Sequence, residues 1–263
     1  MEILNVIDPV EFRTYMLVLI RMSIMIFMFP IFSSNVFPAQ LKMGFCLVAS
    51  LLFYSVVPVD LGRFPMSVPA TGLLITAELL VGLTMGLCLR IFFGSVQLAG
   101  QVIGFQMGFA MINVVDPQTG SNVSIMDQLG YWVCVVVFLL MNGHHIIFMA
   151  VIDSFKLVPL GVFIMRDALM VKILEQAAQL FLVALKIGAP VIASLAFVSV
   201  AFGLIAKFSP QMNVMIVAFP LKIIAGLLLF GLVLQIIVIV TRQYIEEFKQ
   251  LLMYLLFYAG GGG

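Results

Sequence analysis

Residues 94–115 read GSVQLAGQVIGFQMGFAMINVV. The stretch carries no charge and is long enough to cross a bilayer, which takes about 20 apolar residues. Its polar and small residues are ordered, however. Gly100, Gly104 and Gly108 recur at four-residue spacing and share one face of a helix, with Gln97 and Gln101 along the same side. A glycine face lets another backbone come close, and two amides on it need hydrogen-bond partners that lipid does not supply. Gly82 and Gly86 repeat the spacing in the segment before it. The pattern predicts helices packed on helices in an apolar setting, with this face against protein.

The rest of the chain agrees with that class. Hydrophobic residues make up 63% of the 263 and charged residues 10%, and the mean hydropathy is +1.23. A soluble domain carries about 25% charged residues, and no soluble fold of this length hides so much apolar surface. The net charge of +1 leaves no electrostatic footprint for nucleic acid. Apolar runs predict spanning helices over Thr14–Phe32, Leu41–Val57, Pro69–Phe93, Ile125–Ile152, Ala177–Phe208 and Met212–Thr241. Asp116-Pro117-Gln118-Thr119-Gly120 has turn chemistry, and Asp153–Glu175 is the longest polar connection. The expected fold is all-α: a polytopic membrane-type bundle with broken helices, one domain over 1–263, with the glycines of 260–263 set aside as a flexible tail. Glu2, Asp8 and Glu11 give the N-terminus the wrong charge for a cleavable signal. With six crossings both termini share a side with Arg13, Arg63, Lys156, Arg166, Lys172, Arg242 and Lys249, which predicts cytoplasmic termini.

Arg21, Glu78, Arg90, Lys186 and Lys222 lie in or near the apolar spans, where each costs about 2.5–3.5 kcal/mol at a helix centre. They are expected to be buried charges facing protein. One reading makes them a transported-ion site; the other makes them structural anchors between helices. The shortage of acids favours the second. Pro190 and Pro220 free backbone carbonyls in their helices, to which the neighbouring Lys186 and Lys222 are expected to donate. His144 and His145 are adjacent, so on a helix they point about 100° apart and do not grip one metal. Cys46, Cys88 and Cys134 are separated and read as small buried side chains. There is no Gly-x-Ser-x-Gly elbow, P-loop or paired carboxylate, so no enzyme activity, metal or cofactor is expected.

The order of several motifs carries a resemblance. Glu78-x3-Gly82-x3-Gly86, Ala99-Gly100, Gln106-x-Gly108 and Asp116-Pro117 are followed by Asn142-Gly143-His144, Ser154 and Pro159. Then come Pro190, Gly203, Lys207-x2-Pro210-Gln211-Met212-Asn213 and Phe219-Pro220, with Pro30, Pro38 and Lys42 near the start. Over nearly its whole length the chain resembles the FliR family of the flagellar type III export gate and its injectisome counterparts. The resemblance implies a bacterial inner-membrane protein of the flagellar basal body. It implies assembly with FliP and FliQ into a helical cone contacted by FlhB, through which unfolded export substrates pass. It also implies a pore plug at Phe109, Ala110, Met111, Ile112, Asn113, Val114 and Val115. Phe109, Met111, Ile112 and Val114 suit that role: they are apolar, and the segment is bounded by Gly108 and Asp116-Pro117, which permit a sharp reversal. The competing reading of the segment is an ordinary interface helix. The competing function is an ion-coupled secondary transporter built on Glu78 and the Pro-broken helices.

Overall fold

Proline, asparagine and glycine decide where the helices of this chain stop. The computed structural model describes residues 9–33, 37–55, 57, 67–109, 125–209, 211 and 213–261, and all regular structure among them is helical. The helices are α1 (Pro9–Met28), α2 (Pro30–Ser33), α3 (Ala39–Tyr54), α4 (Val68–Met107), α5 (Ile125–Leu140), α6 (Gly143–Leu157), α7 (Asp167–Phe208) and α8 (Val214–Ala259).

Several boundaries differ from those the sequence predicts. The predicted span Pro69–Phe93 and the Gly/Gln stretch after it form one uninterrupted helix of 40 residues, α4. Nothing between Phe93 and Gly94 breaks a helix, and glycine inside one costs only about 1 kcal/mol, which packing offsets. Conversely, the predicted helix Ile125–Ile152 breaks in two. Asn142 adopts a left-handed backbone (φ 59°), a conformation asparagine tolerates better than most residues, and α5 and α6 meet at 69°. The polar connection predicted over Asp153–Glu175 is largely helical, since α6 runs to Leu157 and α7 begins at Asp167. Pro190 and Pro220 sit inside α7 and α8 without ending them.

Among the described residues three helices are long and apolar enough to cross a membrane, or four if the bent α5–α6 pair counts as one span. The six crossings predicted from hydropathy reduce to these. The α3 helix has only 16 residues, and α1 carries Glu11, Arg13 and Arg21.

Contacts divide the chain into two compact units. The first comprises Met1–Ile91, Asn142–Gln176 and Ile245–Gly263; the second comprises Phe92–Met141 and Ala177–Tyr244. In the first, Val18, Met22 and Met25 of α1 are buried, as are Val81, Met85 and Leu89 of α4 and Phe248, Leu252 and Leu255 of α8. The four-residue spacing on α4 is that of one helical face. Gly260 and Gly261 take part in this unit: Gly260 N–H donates to Leu256 O at 2.9 Å, Gly261 O accepts from Arg166 Nη2 at 3.0 Å, and a Cβ at Gly260 would collide with the Leu157 carbonyl. In the second unit Val96, Ile103, Cys134, Ile187, Val191, Val233 and Ile237 are buried, and Phe92 stacks on Tyr244 at 3.8 Å between centroids. All three cysteines are buried.

Candidate functional site

Two constructions hold the residues singled out by the sequence. The first, in the first unit, is built on Arg21 of α1 and Glu78 of α4. Gly82 lies one turn beyond Glu78. A Cβ there would sit 3.2 Å from the Arg21 carbonyl and 3.1 Å from Ile24 Cβ, so the glycine allows α1 to lie close against α4. Gly86, a turn further on, leaves room for the Met28 side chain. Arg21 then reaches Glu78 with two parallel bonds, Nε to Oε2 at 2.6 Å and Nη2 to Oε1 at 3.0 Å.

Neither side chain has any exposure. Arg21 Nη1 also donates to Ser154 Oγ at 3.2 Å and to the Val158 carbonyl at 3.1 Å, and the guanidinium lies 4.3 Å from the centre of the Phe155 ring. Glu78 Oε1 accepts a further bond from Gly161 N–H at 2.7 Å. Burial of two charges is costly unless geometry and extra hydrogen bonds satisfy them; here the pair is bidentate and both partners have additional bonds. Such a carboxylate is an anchor.

The other predicted buried charges are placed differently. Arg90 is exposed, because twelve residues at about 100° each carry it about 120° around α4 from Glu78. Lys186 is exposed and Lys222 half-buried, and neither donates a hydrogen bond to a described carbonyl. Ser194 Oγ instead donates to the Pro190 carbonyl at 2.7 Å. His145 is exposed, while His144 is half-buried with Nδ1 enclosed and without a hydrogen-bond partner among the described residues. It lines an apolar cavity of about 20 Å³ with Met22, Met25 and Phe29.

The second construction is the C-terminal part of α4, in the second unit. A Cβ at Gly100 would run into the Asp127 backbone, 2.7 Å from its nitrogen; the close partner of this glycine is thus α5 of the same chain. Gln101 Nε2 approaches Asp127 Oδ2 at 3.5 Å, and Asp127 Oδ1 is buried with no hydrogen-bond partner among the described residues. Gly104 is buried, Gln97 half-buried and Gln101 itself largely exposed.

Gly108 does not continue the glycine face. It ends the helix in the left-handed region at φ 92°, with Gly108 N–H bonded to Phe105 O at 3.1 Å and Phe109 N–H to Gly104 O at 3.0 Å. This is a Schellman cap, in which glycine is favoured because a Cβ would be strained. The Phe219 ring covers Gly108, and the Met107 side chain fills the notch at Gly226. Of the residues that the resemblance implies as a plug, Phe109 is described; Ala110–Val115 lie outside the described residues.

Reasoning from sequence missed Gly161, Phe155 and Gly226. Gly161 acts through its backbone N–H and Gly226 through the space it leaves, and neither has a signature in a single sequence. Among the described residues no group of three or more His, Cys, Asp or Glu side chains is placed to hold a metal.

Residues 12–248 match the family described as bacterial export proteins, family 1. The flagellar biosynthetic protein FliR of Bacillus subtilis is 31% identical over 252 residues, covering 92% of this chain and 95% of the relative. FliR of Aquifex aeolicus is 26% identical over 251 residues, with 92% and 93% covered. FliR of Escherichia coli K12 is 25% identical over 243 residues, with 89% of each covered. A match that takes in the Arg21–Glu78 anchor, the α4 cap, all of α7 and most of α8 makes this chain a member of the FliR family of bacterial export proteins.

Proposed function

We propose that this chain is a structural, pore-forming subunit of the flagellar type III export gate. Membership of the FliR family makes it a component of the flagellar export apparatus. The finer reading is that it assembles with FliP and FliQ into a helical cone in the bacterial inner membrane, at the flagellar basal body. FlhB contacts the cone, and unfolded substrates pass through it.

One observation carries the need for partners. At about 1.5 Å per residue the 42 residues of α7 extend about 63 Å and the 46 of α8 about 69 Å. Both expose large apolar side chains along that length, from Val171 through Leu185 and Phe197 to Phe208, and from Ile216 through Leu228 and Ile239 to Phe257. The hydrocarbon core of a bilayer is only about 30 Å thick. Lipid therefore covers about half of each stripe, and the remainder needs protein.

The transporter reading loses its acid, since both Glu78 oxygens are taken by Arg21 and Gly161. The test is extraction of a tagged chain in mild detergent with and without co-expressed FliP and FliQ. A defined hetero-oligomer is expected; a stable, monodisperse monomer lacking both partners overturns the proposal.

A further inference from the structure

The first turns of α1 and the last turn of α3 enclose a cleft that lies apart from both constructions above. We infer that this cleft binds the ammonium headgroup of a phospholipid of the phosphatidylethanolamine class, with the acyl chains along α3. The inference goes beyond the export-gate reading and stands or falls without it.

Glu11, Phe12 and Tyr15 of α1 line the cleft with Leu51 and Tyr54 of α3, around a volume of about 330 Å³. Glu11 and Tyr15 are four residues apart and Leu51 and Tyr54 three, so each pair shares a helical face. The Tyr15 and Tyr54 rings stand 6.2 Å apart at 76° and make two walls of a corner. Tyr15 is fixed there: its hydroxyl accepts from Ser50 Oγ at 3.2 Å and donates to the Leu47 carbonyl at 3.3 Å.

Three features of the cleft select a cation. The faces of the aromatic rings are negative and attract an ammonium group. Glu11 adds a carboxylate that is exposed and has no ion pair among the described residues. The α3 helix ends here, with Ser55 as its C-cap and no basic residue in its last turn, so its final carbonyls add partial negative charge. Arg13, two residues from Glu11, lies about 160° around α1 from it, and Lys42 lies at the opposite end of α3. One carboxylate among rings offers too few oxygens for calcium or magnesium. A weakly hydrated organic ammonium suits it.

The surface beside the cleft suits a lipid rather than a free amine. Leu41, Phe45, Val48 and Leu52 are exposed on α3, at the 4, 3, 4 spacing of one helical face. At about 1.5 Å per residue that stripe is about 17 Å long, close to the roughly 15 Å of hydrocarbon in one leaflet. It ends at the cleft, because Leu52 follows Leu51. A headgroup in the corner therefore leaves its acyl chains beside an apolar face of matching length.

The test is native mass spectrometry of the full chain, purified in detergent and incubated with equal amounts of phosphatidylethanolamine and phosphatidylglycerol of the same acyl chains. The wild type should retain the amine lipid roughly tenfold over the other. Glu11→Gln and Tyr54→Leu should each bring that ratio close to one. Tyr54→Leu leaves every charge in place, so its effect separates the aromatic wall from simple repulsion between Glu11 and an anionic lipid. Equal retention of both lipids by the wild type overturns the inference, as does either variant with the wild-type ratio. The same measurement on the chain assembled with FliP and FliQ decides the occupant. A preference kept there supports the lipid; a preference lost on assembly overturns it and gives the cleft to a basic side chain of a partner subunit.

Discussion

Arg21 and Glu78 meet as a two-pronged pair on α1 and α4, 2.6 Å apart at the shorter prong and without exposure. Three donors converge on the carboxylate and two further acceptors take the guanidinium. Breaking a buried pair by removing one partner costs about 3–5 kcal/mol, because the other charge is left uncompensated. Glu78→Gln should therefore lower the yield of assembled complex sharply, while the complexes that do form export at near-normal rates. Quantifying complex per cell and export per complex checks this. Normal assembly with lost export would make Glu78 a working group instead.

A paired replacement should do less harm than the single one. Arg21→Met with Glu78→Leu removes both charges and keeps apolar bulk, a swap that is often neutral or better for buried pairs. Recovery of assembly in the double variant above that of either single variant is the expected result.

Gly100 leaves no room for a side chain against the Asp127 backbone. Gly100→Leu should force α5 away from α4 and destabilise the second unit by about 1–3 kcal/mol, the usual cost of overpacking. Gly104, buried one turn on, should respond in the same direction to Gly104→Leu. The melting temperature of the purified complex reads both effects, and unchanged values for Gly100→Leu would contradict the contact.

Asp127 is 5% exposed, yet its Oδ1 has no hydrogen-bond partner among the described residues. A buried acceptor without a donor costs about 1–3 kcal/mol. Asp127→Asn keeps the shape and leaves an amide oxygen to accept from Gln101; an NH2 takes the unpaired place, so the change removes only the buried charge, and the variant should match or exceed the wild type in thermal stability. A clear fall in melting temperature would reveal a role for the carboxylate that its surroundings do not explain.

The plug reading has a direct test. Removing Met111–Val114 should leave assembly intact and make the closed gate conduct small ions, because the apolar bulk that excludes water is gone. Single-channel conductance of reconstituted gates measures it. A deletion gate as tight as wild type places the seal in another subunit.

Much of the fold was legible in residues 94–115 and their neighbours, because hydropathy and glycine spacing report directly on burial. Helix limits were less legible. Hydropathy falls at Gly94 although the helix continues, and it stays high through Met141 although Asn142 turns the chain. The Arg21–Glu78 anchor was half visible: the residue types stood out, but helical phase separates Glu78 from Arg90, and nothing linear ties Arg21 to Glu78. The α4 cap was foreshadowed by Gly108 before an apolar run. Its partners, Phe219 and Gly226, lie over a hundred residues away, where only the folded chain brings them near.

The connector between α6 and α7 looks like an ordinary surface turn. Its backbone is nevertheless tied at separate points: Val158 O to Arg21, Gly161 N–H to Glu78, and Ile164 N–H to Ala259 O at 2.9 Å. Loops usually exchange their amide hydrogens quickly and accept insertions. This one should do neither. The Gly161 amide should exchange with deuterium as slowly as a helix interior, and a single residue inserted between Val158 and Ile164 should be as damaging as one inserted in the middle of α4.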